Sequence, residues 1–314
     1  MNSRERVMRS LNKEVPDRIP IDLGTTNCTT LTKKAYENLK KFLGIEKETR
    51  FMMENFQVVF VDEEVLQILN IDTRGIHPHP IFQKEMINNN SYRNEFGITF
   101  RMPQEGLYYD MVQHPLAGKS LEELKEYPWP NPENSMNLKG LQENAKKLHD
   151  KGEFCLVGDM IDTGIFEPCW YLRGFENYLM DLVIDPDFAT AQLEGMYHYQ
   201  LQRYSLFLQE VGEYLDIIFV GDDLATAENV IMNPQTYRNL IKPYHKEYFN
   251  NLKKLAPNAK LLYHSCGSIF NFIPDLIEIG VDILNPIQVS AQGMDTKVLK
   301  DKFGKEISFW GAID

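Results

Sequence analysis

The sequence predicts an α/β protein built on a (β/α)8 TIM barrel, with an N-terminal helical extension and an inserted β-hairpin. After residue 150, short apolar runs alternate with longer amphipathic stretches, which is the pattern of βα units. Each run ends in polar residues, and no glycine-rich nucleotide loop follows any of them, which disfavours an open doubly wound sheet. Since repeats and low-complexity linkers are absent, we expect one barrel domain over residues 1–314.

The chain before residue 130 predicts less regular structure than the part after it. Alternating apolar residues on both sides of a short turn at Gly106 predict a β-hairpin made by residues 96–103 and 107–112. The other elements expected here are a helix at Ser3 to Asn12, a strand at Arg18 to Leu23, a helix around Leu31 to Leu43 and a strand near Ile71 to Ile76. They supply the helical extension and two barrel strands.

Five apolar runs predict the remaining barrel strands. These runs are Phe154 to Val157, Asp216 to Val220, Leu261 to Tyr263, Val281 to Leu284 and Ile307 to Trp310. Because the C-terminal ends of barrel strands meet on the face that holds the active site, the polar residues that follow these runs should converge. Five strands and the earlier two make about seven, one short of a closed barrel. Either the sequence to Asp314 lacks the last βα unit or one assignment is wrong.

Composition excludes several classes of partner. The formal charge of −12 and pI near 5.2 would repel a phosphate backbone, so we expect no nucleic acid. The N-terminus is charged where a signal peptide needs an apolar core, and no stretch approaches the ~18 apolar residues that cross a bilayer. We expect a cytoplasmic protein without a membrane partner. The four cysteines form no CxxC pair, which disfavours a disulfide framework.

The sharpest local signal is His264-Ser-Cys266 at the end of an apolar run. Side chains at positions i and i+2 of an extended segment point the same way, so an imidazole and a thiol would project together into the barrel mouth. Both are ligands that Zn²⁺ prefers. The alternative is a buried strand histidine beside an inert cysteine. A zinc site needs one or two further ligands, for which the candidates are Asp222, Asp223, Glu228 and Cys28.

Acidic residues follow several predicted strands. Of Asp222 and Asp223, one should face the barrel as a catalytic acid, base or metal ligand while the other caps a turn. We expect substrate-binding groups at other strand ends. They are Asp22, Asp159, Asp162 and Asn285. For Asp159, Asp162 and Glu167, a solvated loop or a helix N-terminus is the structural alternative.

Several short segments share their order with a known family. They are Arg4 to Val7, Pro16 to Pro20, Ile71 to Gly75, Phe96 to Thr99, Asp185 to Phe188, Gly221 to Asp223 with Pro234, Lys242 to Tyr244, His264 to Gly267, Gly280 to Pro286 and Trp310 to Asp314. Together they resemble the uroporphyrinogen decarboxylase superfamily over almost the whole chain.

The resemblance implies two alternative chemistries. Decarboxylases of this superfamily carry an arginine-rich segment after the first barrel strand, which holds the carboxylates of a tetrapyrrole; the corresponding segment here, Asp22 to Cys28, has no arginine. His264 and Cys266 match the zinc motif of the corrinoid-linked methyltransferases. On that branch the cofactors are zinc and a corrinoid carried by a partner protein, and the family's last zinc ligand would fall beyond Asp314.

The interpretation favoured by the sequence is therefore a zinc-dependent methyltransferase that moves a methyl group between a small methylated or methoxylated substrate, or a thiol or folate acceptor, and a corrinoid protein. The first alternative is metal-free decarboxylation of uroporphyrinogen. The second is a non-catalytic binding protein, which the missing eighth strand favours.

Overall fold

Helices and short strands alternate along the chain in a computed structural model that describes residues 1–81, 83–162 and 164–313. The helices are α1 Ser3–Leu11, α2 Lys33–Leu43, α3 Glu63–Ile68, α4 Leu121–Lys125, α5 Leu141–Lys151, α6 Glu167–Arg173, α7 Phe175–Ile184, α8 Pro186–Val211, α9 Pro234–Thr236, α10 Lys242–Leu255, α11 Ile273–Glu278 and α12 Thr296–Phe303. Short 3₁₀ turns occur at Pro132–Ser135, Gly212–Tyr214 and Phe270–Phe272, and a π-helical turn at Tyr237–Ile241 joins α9 to α10.

The strands of the described residues form four sheets. They are β1 Phe51–Met53, β2 Val58–Val59, β3 Thr73–Ile76, β4 His79–Pro80, β5 Lys84–Asn88, β6 Ser91–Asn94, β7 Thr99–Arg101, β8 Asp110–Gln113, β9 Met136–Asn137, β10 Cys155–Asp159, β11 Ile217–Gly221, β12 Lys260–His264, β13 Ile283–Asn285 and β14 Ser308–Phe309. The polar residues that follow the last predicted strand include Asp314, which lies outside the described residues. No helix in the described ranges is long and apolar enough to span a membrane.

The largest sheet is parallel and has six strands in the order β14-β13-β12-β11-β10-β3. Its members include all five strands predicted after residue 150 and the one predicted near residues 71–76, so these predictions are confirmed. Neighbouring strands in the sheet follow one another along the chain, with helices between them, as in a (β/α)8 barrel. The prediction of a barrel-type α/β fold is confirmed.

Side chains on this sheet alternate between two cores. One set points inward and packs with α1 in a small interior core that contains Cys155, Val157, Ile217, Phe219, Leu262 and Ile283. The other set, such as Leu156, Ile218 and Leu261, packs outward against the surrounding helices. Both faces of the strands are therefore apolar, which is why the strands appear in the sequence as continuous apolar runs.

Helix α1 covers the N-terminal end of this sheet. Its residues Val7 and Leu11 enter the interior core, and Arg4 holds the buried carboxylate of Asp216 with three hydrogen bonds of 2.8–3.1 Å. The opposite end, where the strands reach their carboxyl termini, is left for polar residues.

The prediction of a strand at Arg18 to Leu23 is wrong. This segment is extended but forms no ladder in the described structure, because Pro20 has no N–H and the Ile21 N–H donates to the Asp72 carboxylate at 2.8 Å. It nevertheless joins the two edges of the sheet. Asp22 accepts hydrogen bonds from Thr73 Oγ1 of β3 at 2.6 Å and from Trp310 Nε1, just after β14, at 3.1 Å.

The predicted β-hairpin is confirmed and belongs to a larger insert. Strands β7 and β8 pair antiparallel, with Phe100 opposite Met111. Two unpredicted strands, β5 and β6, extend the hairpin into a four-stranded sheet in the order β5-β6-β7-β8. This inserted sheet comes between β3 and β10 in the chain.

Candidate functional site

The carboxyl ends of three neighbouring strands bring the site residues together. Gly221, His264 and Asn285 lie side by side in the register of β11, β12 and β13, one layer above the apolar interior. Gly221 leaves this layer open, since a Cβ atom there would lie 2.8 Å from His264 Cβ. Past β12 the chain turns at Gly267, whose φ of +86° and close approach to the Thr226 carbonyl exclude a side chain.

His264, Cys266 and Asp223 form the one cluster among the described residues whose donor atoms are arranged to hold a metal ion. Their ligand atoms all lie within 4.8 Å of one another. His264 Nε2 is 3.4 Å from Cys266 Sγ and 3.8 Å from Asp223 Oδ1. Asp223 is fixed in turn, because its Oδ1 accepts the Cys266 N–H at 2.7 Å. The two side chains predicted to project together therefore do so.

Asn285 fixes the orientation of the His264 ring. Asn285 donates through Nδ2 to the Trp310 carbonyl at 3.0 Å, so its Oδ1 accepts from His264 Nδ1 at 2.6 Å. With its proton on Nδ1, the imidazole presents the lone pair of Nε2 to Cys266 and Asp223. Asn285, which the sequence predicts to bind substrate, contacts His264 and the Trp310 carbonyl in this structure.

A cavity of about 350 Å³ opens beside this cluster. Its walls include Cys28, Glu167, Asp223 and His264, and its size falls in the range of small-molecule sites. Burial and the nearby Asp223 carboxylate raise the pKa of Glu167 to about 8. Burial and the same carboxylate raise the pKa of the Cys266 thiol to about 12, so a bound cation would be needed to stabilise its thiolate.

Glu167 is the residue whose importance the sequence understated. It begins α6, its Oε1 accepts from Tyr171 Oη, and its Oε2 accepts the Asp223 N–H at 3.2 Å. Helices commonly start with a proline in the first turn and an acidic residue beside it, and α6 has both. The sequence pattern alone therefore does not separate a role of Glu167 at the helix start from a role in the cavity.

Asp222 points away from the cavity into the protein. Its carboxylate accepts the backbone N–H groups of Ile165, Phe166 and Glu167 at 2.6–3.0 Å and lies 2.9 Å from His245 Nε2. It is 2 % exposed. Of the two acids predicted to be catalytic, Asp223 faces the cavity and Asp222 anchors the start of α6, so Asp222 has a positioning role in this geometry.

The remaining predicted residues are divided between the cavity and its supports. Asp162 and Cys28 line the cavity, but neither belongs to the three-residue cluster. Asp22 has its oxygens occupied by Thr25, Thr73 and Trp310. Glu228 is exposed and also lies outside the cluster. No fourth donor side chain joins the three-residue cluster among the described residues.

Asp159 is the buried last residue of β10, and it holds the loop that carries Cys28. Its two carboxylate oxygens accept the N–H groups of Asn27 at 2.8 Å and Ile161 at 2.7 Å. Burial raises the pKa of Asp159 to about 7. Because the folded protein then holds this proton more tightly than the unfolded chain, stability falls as pH rises from about 4 to about 7 and is flat above that.

We therefore expect Asp159→Asn to remove this part of the pH dependence. Between about pH 5 and pH 7, the free energy of unfolding of the wild type should fall relative to that of the variant by up to ~1.4 kcal/mol per pH unit. Urea unfolding at a series of pH values measures the difference. Parallel curves for the two proteins would show that Asp159 is ionised throughout.

A family model described as uroporphyrinogen decarboxylase (URO-D) matches residues 93–314, which include the whole cluster. The chain belongs to the URO-D family. No curated protein sequence matches it. Among solved structures, this URO-D member aligns with a methyltransferase from Methanosarcina mazei at a TM-score of 0.57 and 14% identity, over 98% of this chain and 82% of that one. That alignment shows a shared fold.

Two further alignments are partial. The xylanase XynB from Paenibacillus barcinonensis, complexed with a conduramine derivative, has a TM-score of 0.30 and 13% identity over 55% of this chain and 64% of that one. The GH53 catalytic domain of Ignisphaera aggregans has a TM-score of 0.24 and 16% identity over 52% of this chain and 50% of that one. Neither bears on the function of this URO-D member.

Proposed function

We propose that this protein is a zinc-dependent methyltransferase that moves a methyl group between a small methylated or methoxylated substrate, or a thiol or folate acceptor, and a corrinoid carried by a partner protein. The observation that supports it most is the meeting of a thiol, an imidazole and a carboxylate beside a cavity at the carboxyl end of the sheet. Its URO-D membership and its likeness to a methyltransferase fold agree with this function.

The donor set fits zinc by its chemistry. Sulfur, imidazole nitrogen and carboxylate oxygen are the three ligand types that Zn²⁺ takes in proteins, and a catalytic zinc site uses three protein ligands and keeps a fourth position for substrate. His264 Nε2, Cys266 Sγ and a carboxylate oxygen of Asp223 would hold the ion. When bound there, zinc would supply Lewis acidity to a substrate oxygen or thiol.

The surrounding residues have separate tasks in this proposal. Asn285 keeps the lone pair of His264 Nε2 directed at the cluster. Asp222 fixes the N-terminus of α6 and thereby the position of Glu167. Glu167 lines the cavity and can hold a proton on its carboxyl group. As a general acid, it would donate this proton to a leaving oxygen of the substrate.

Uroporphyrinogen decarboxylation is the competing function, and the family name is the observation that favours it. A tetrapyrrole with several carboxylates needs several arginine contacts. The segment after Asp22 supplies none, and Arg18 is paired with Asp72 at the N-terminal end of β3, opposite the cavity. These positions favour the methyltransferase.

Metal analysis of the purified protein tests the proposal. We expect about one zinc ion per chain in the wild type and almost none in His264→Ala or Cys266→Ala. His198→Ala is the matched control, since His198 is exposed on α8 outside the cluster, and it should keep its zinc. Cys28→Ser shows whether the cavity thiol is a further ligand.

Equal metal content in the wild type and the two cluster variants would show that His264 and Cys266 do not hold zinc. Methylation of a reduced corrinoid, followed by its absorption spectrum, provides the activity readout. Turnover of uroporphyrinogen by the metal-free protein would establish the competing function instead.

A further inference from the structure

A second cavity, the inner lobe, lies next to the cavity beside the metal cluster. This inner lobe, of about 110 Å³, lies between the inserted sheet and α8, and it shares the walls Met53, Phe56, Asp162, Pro168 and Tyr171 with the first cavity. Much of its own lining is apolar or aromatic. That lining includes Tyr92, Phe96, Ile98, Phe100, Met196 and Tyr199.

Arg203 of α8 is a buried cation of this lobe that has no carboxylate partner among the described residues. It is 9 % exposed and lines the lobe. Its guanidinium donates only to uncharged acceptors, namely Ser135 Oγ, the carbonyl oxygens of Met160 and Asp162, and Gln200 Oε1, at 2.8–3.3 Å. These contacts leave at least one of its five N–H groups without an acceptor in the described part of the chain.

The other buried arginines of the described residues have a carboxylate in contact. The pairs are Arg6 with Asp17 and Asp72, Arg74 with Glu63, and Arg173 with Asp181, at 2.6–2.7 Å. A buried charge is stable when it is paired, and these three arginines follow that rule. Arg203 differs from them in two respects, since it lines a cavity and no carboxylate of the described residues is within ion-pair distance.

Two acids line the same lobe near Arg203, but neither is in direct contact with it through its carboxylate in the described structure. Glu95 and Asp162 are close enough to sense its charge, yet neither forms an ion pair with it in the described structure. Burial raises the pKa of Glu95, and the positive charge of Arg203 opposes that rise without a direct contact between the two groups.

We infer that Arg203 binds an anionic group of the substrate, a carboxylate attached to an apolar or aromatic body. The carboxylate would take the remaining N–H of Arg203, the body would lie against the aromatic wall, and the opposite end would reach past Tyr171 toward the metal cluster. This inference rests on the proposed function for the reaction at that far end, but the anion site itself does not need the metal.

Binding of benzoate and benzamide tests the inference, because the two molecules have similar shapes and differ in charge. By calorimetry the wild type should bind benzoate about tenfold to a hundredfold more tightly than benzamide. In Arg203→Gln that preference should disappear, and in Arg203→Lys, which keeps the charge but not the planar guanidinium, it should be intermediate.

Gln200→Met is the control for the loop-holding role, since Gln200 donates to the carbonyl oxygens of Asp162 and Gly164 and carries no charge. Gln200 Oε1 also accepts one N–H of Arg203, so this variant frees a further N–H of the guanidinium and leaves its charge in place. It should keep the preference for benzoate if Arg203 acts through its charge and not by holding the loop. Cys266→Ala should keep it too, so a failed zinc site and a failed anion site give different results.

Three outcomes would overturn the inference. They are equal affinity of the wild type for the two probes, an equal loss of preference in Arg203→Gln and Gln200→Met, and no binding of either probe up to about 10 mM. The first and third need no variant, so the test holds even if Arg203→Gln fails to fold.

Discussion

Asp222→Ala is expected to lower the free energy of unfolding by ~3–5 kcal/mol. The carboxylate is buried and accepts three backbone N–H groups at the start of α6, and its contact with His245 lies in a fully buried environment. Removing it leaves these donors without an acceptor in a region that water does not reach, and each such donor costs about 1–3 kcal/mol. Urea unfolding measures the loss.

The neighbouring acid supplies the control for this prediction. Asp223 is partly exposed and accepts one backbone N–H, that of Cys266, so Asp223→Ala should cost only about 1 kcal/mol. The two variants should separate in a second way. Asp223→Ala should lose metal while staying folded, whereas the main defect of Asp222→Ala should be in stability. Similar unfolding midpoints for both would contradict the positioning role of Asp222.

Asn285→Leu is expected to weaken zinc binding by about tenfold to a hundredfold. Leucine has the same branched shape with bulkier methyl groups and accepts no hydrogen bond, so His264 Nδ1 would lose its partner, and both the ring orientation and the proton position would no longer be fixed. Competition with a chromogenic chelator measures the affinity. Because the three ligand side chains are unchanged, the variant should still bind zinc at higher concentration.

Asn285→Asp separates orientation from other effects of the substitution. Aspartate keeps the acceptor for His264 Nδ1, gives up the donor to the Trp310 carbonyl and adds a negative charge that strengthens the histidine as a ligand, so zinc affinity should be no lower than that of the wild type. If the aspartate variant binds as weakly as the leucine variant, the hydrogen bond to His264 is not what holds the site.

The parallel sheet could be predicted because its strands are buried on both faces. Short, continuous apolar runs, such as those at Ile217–Gly221 and Lys260–His264, are typical of strands in a parallel sheet that is covered on both sides. The segment at residues 18–23 has a similar apolar content, but nothing in that pattern reveals that the Ile21 N–H bonds to Asp72. Strand β5 was missed because its residues are mostly exposed, so they show no alternation between core and solvent.

The candidate site could be predicted where it depends on spacing and not where it depends on tertiary contact. His264 and Cys266 are two residues apart on an extended segment, so their shared direction follows from strand geometry. The choice of Asp223 over Asp222 depends on the start of α6, which lies about 55 residues earlier in the chain. In the sequence, Arg203 is indistinguishable from a solvent-exposed charge on a long helix. Only the three-dimensional structure shows that it is buried and that no described carboxylate pairs with it.

The placement of α1 has a kinetic consequence. Because this helix covers one end of the sheet, the cavity beside His264 opens at the opposite end, where the strands reach their carboxyl termini. In the proposed reaction, a small substrate and a cobalt centre carried on another protein would use that same entrance. Binding should then follow a compulsory order, with the small molecule seated first and released only after the larger partner departs.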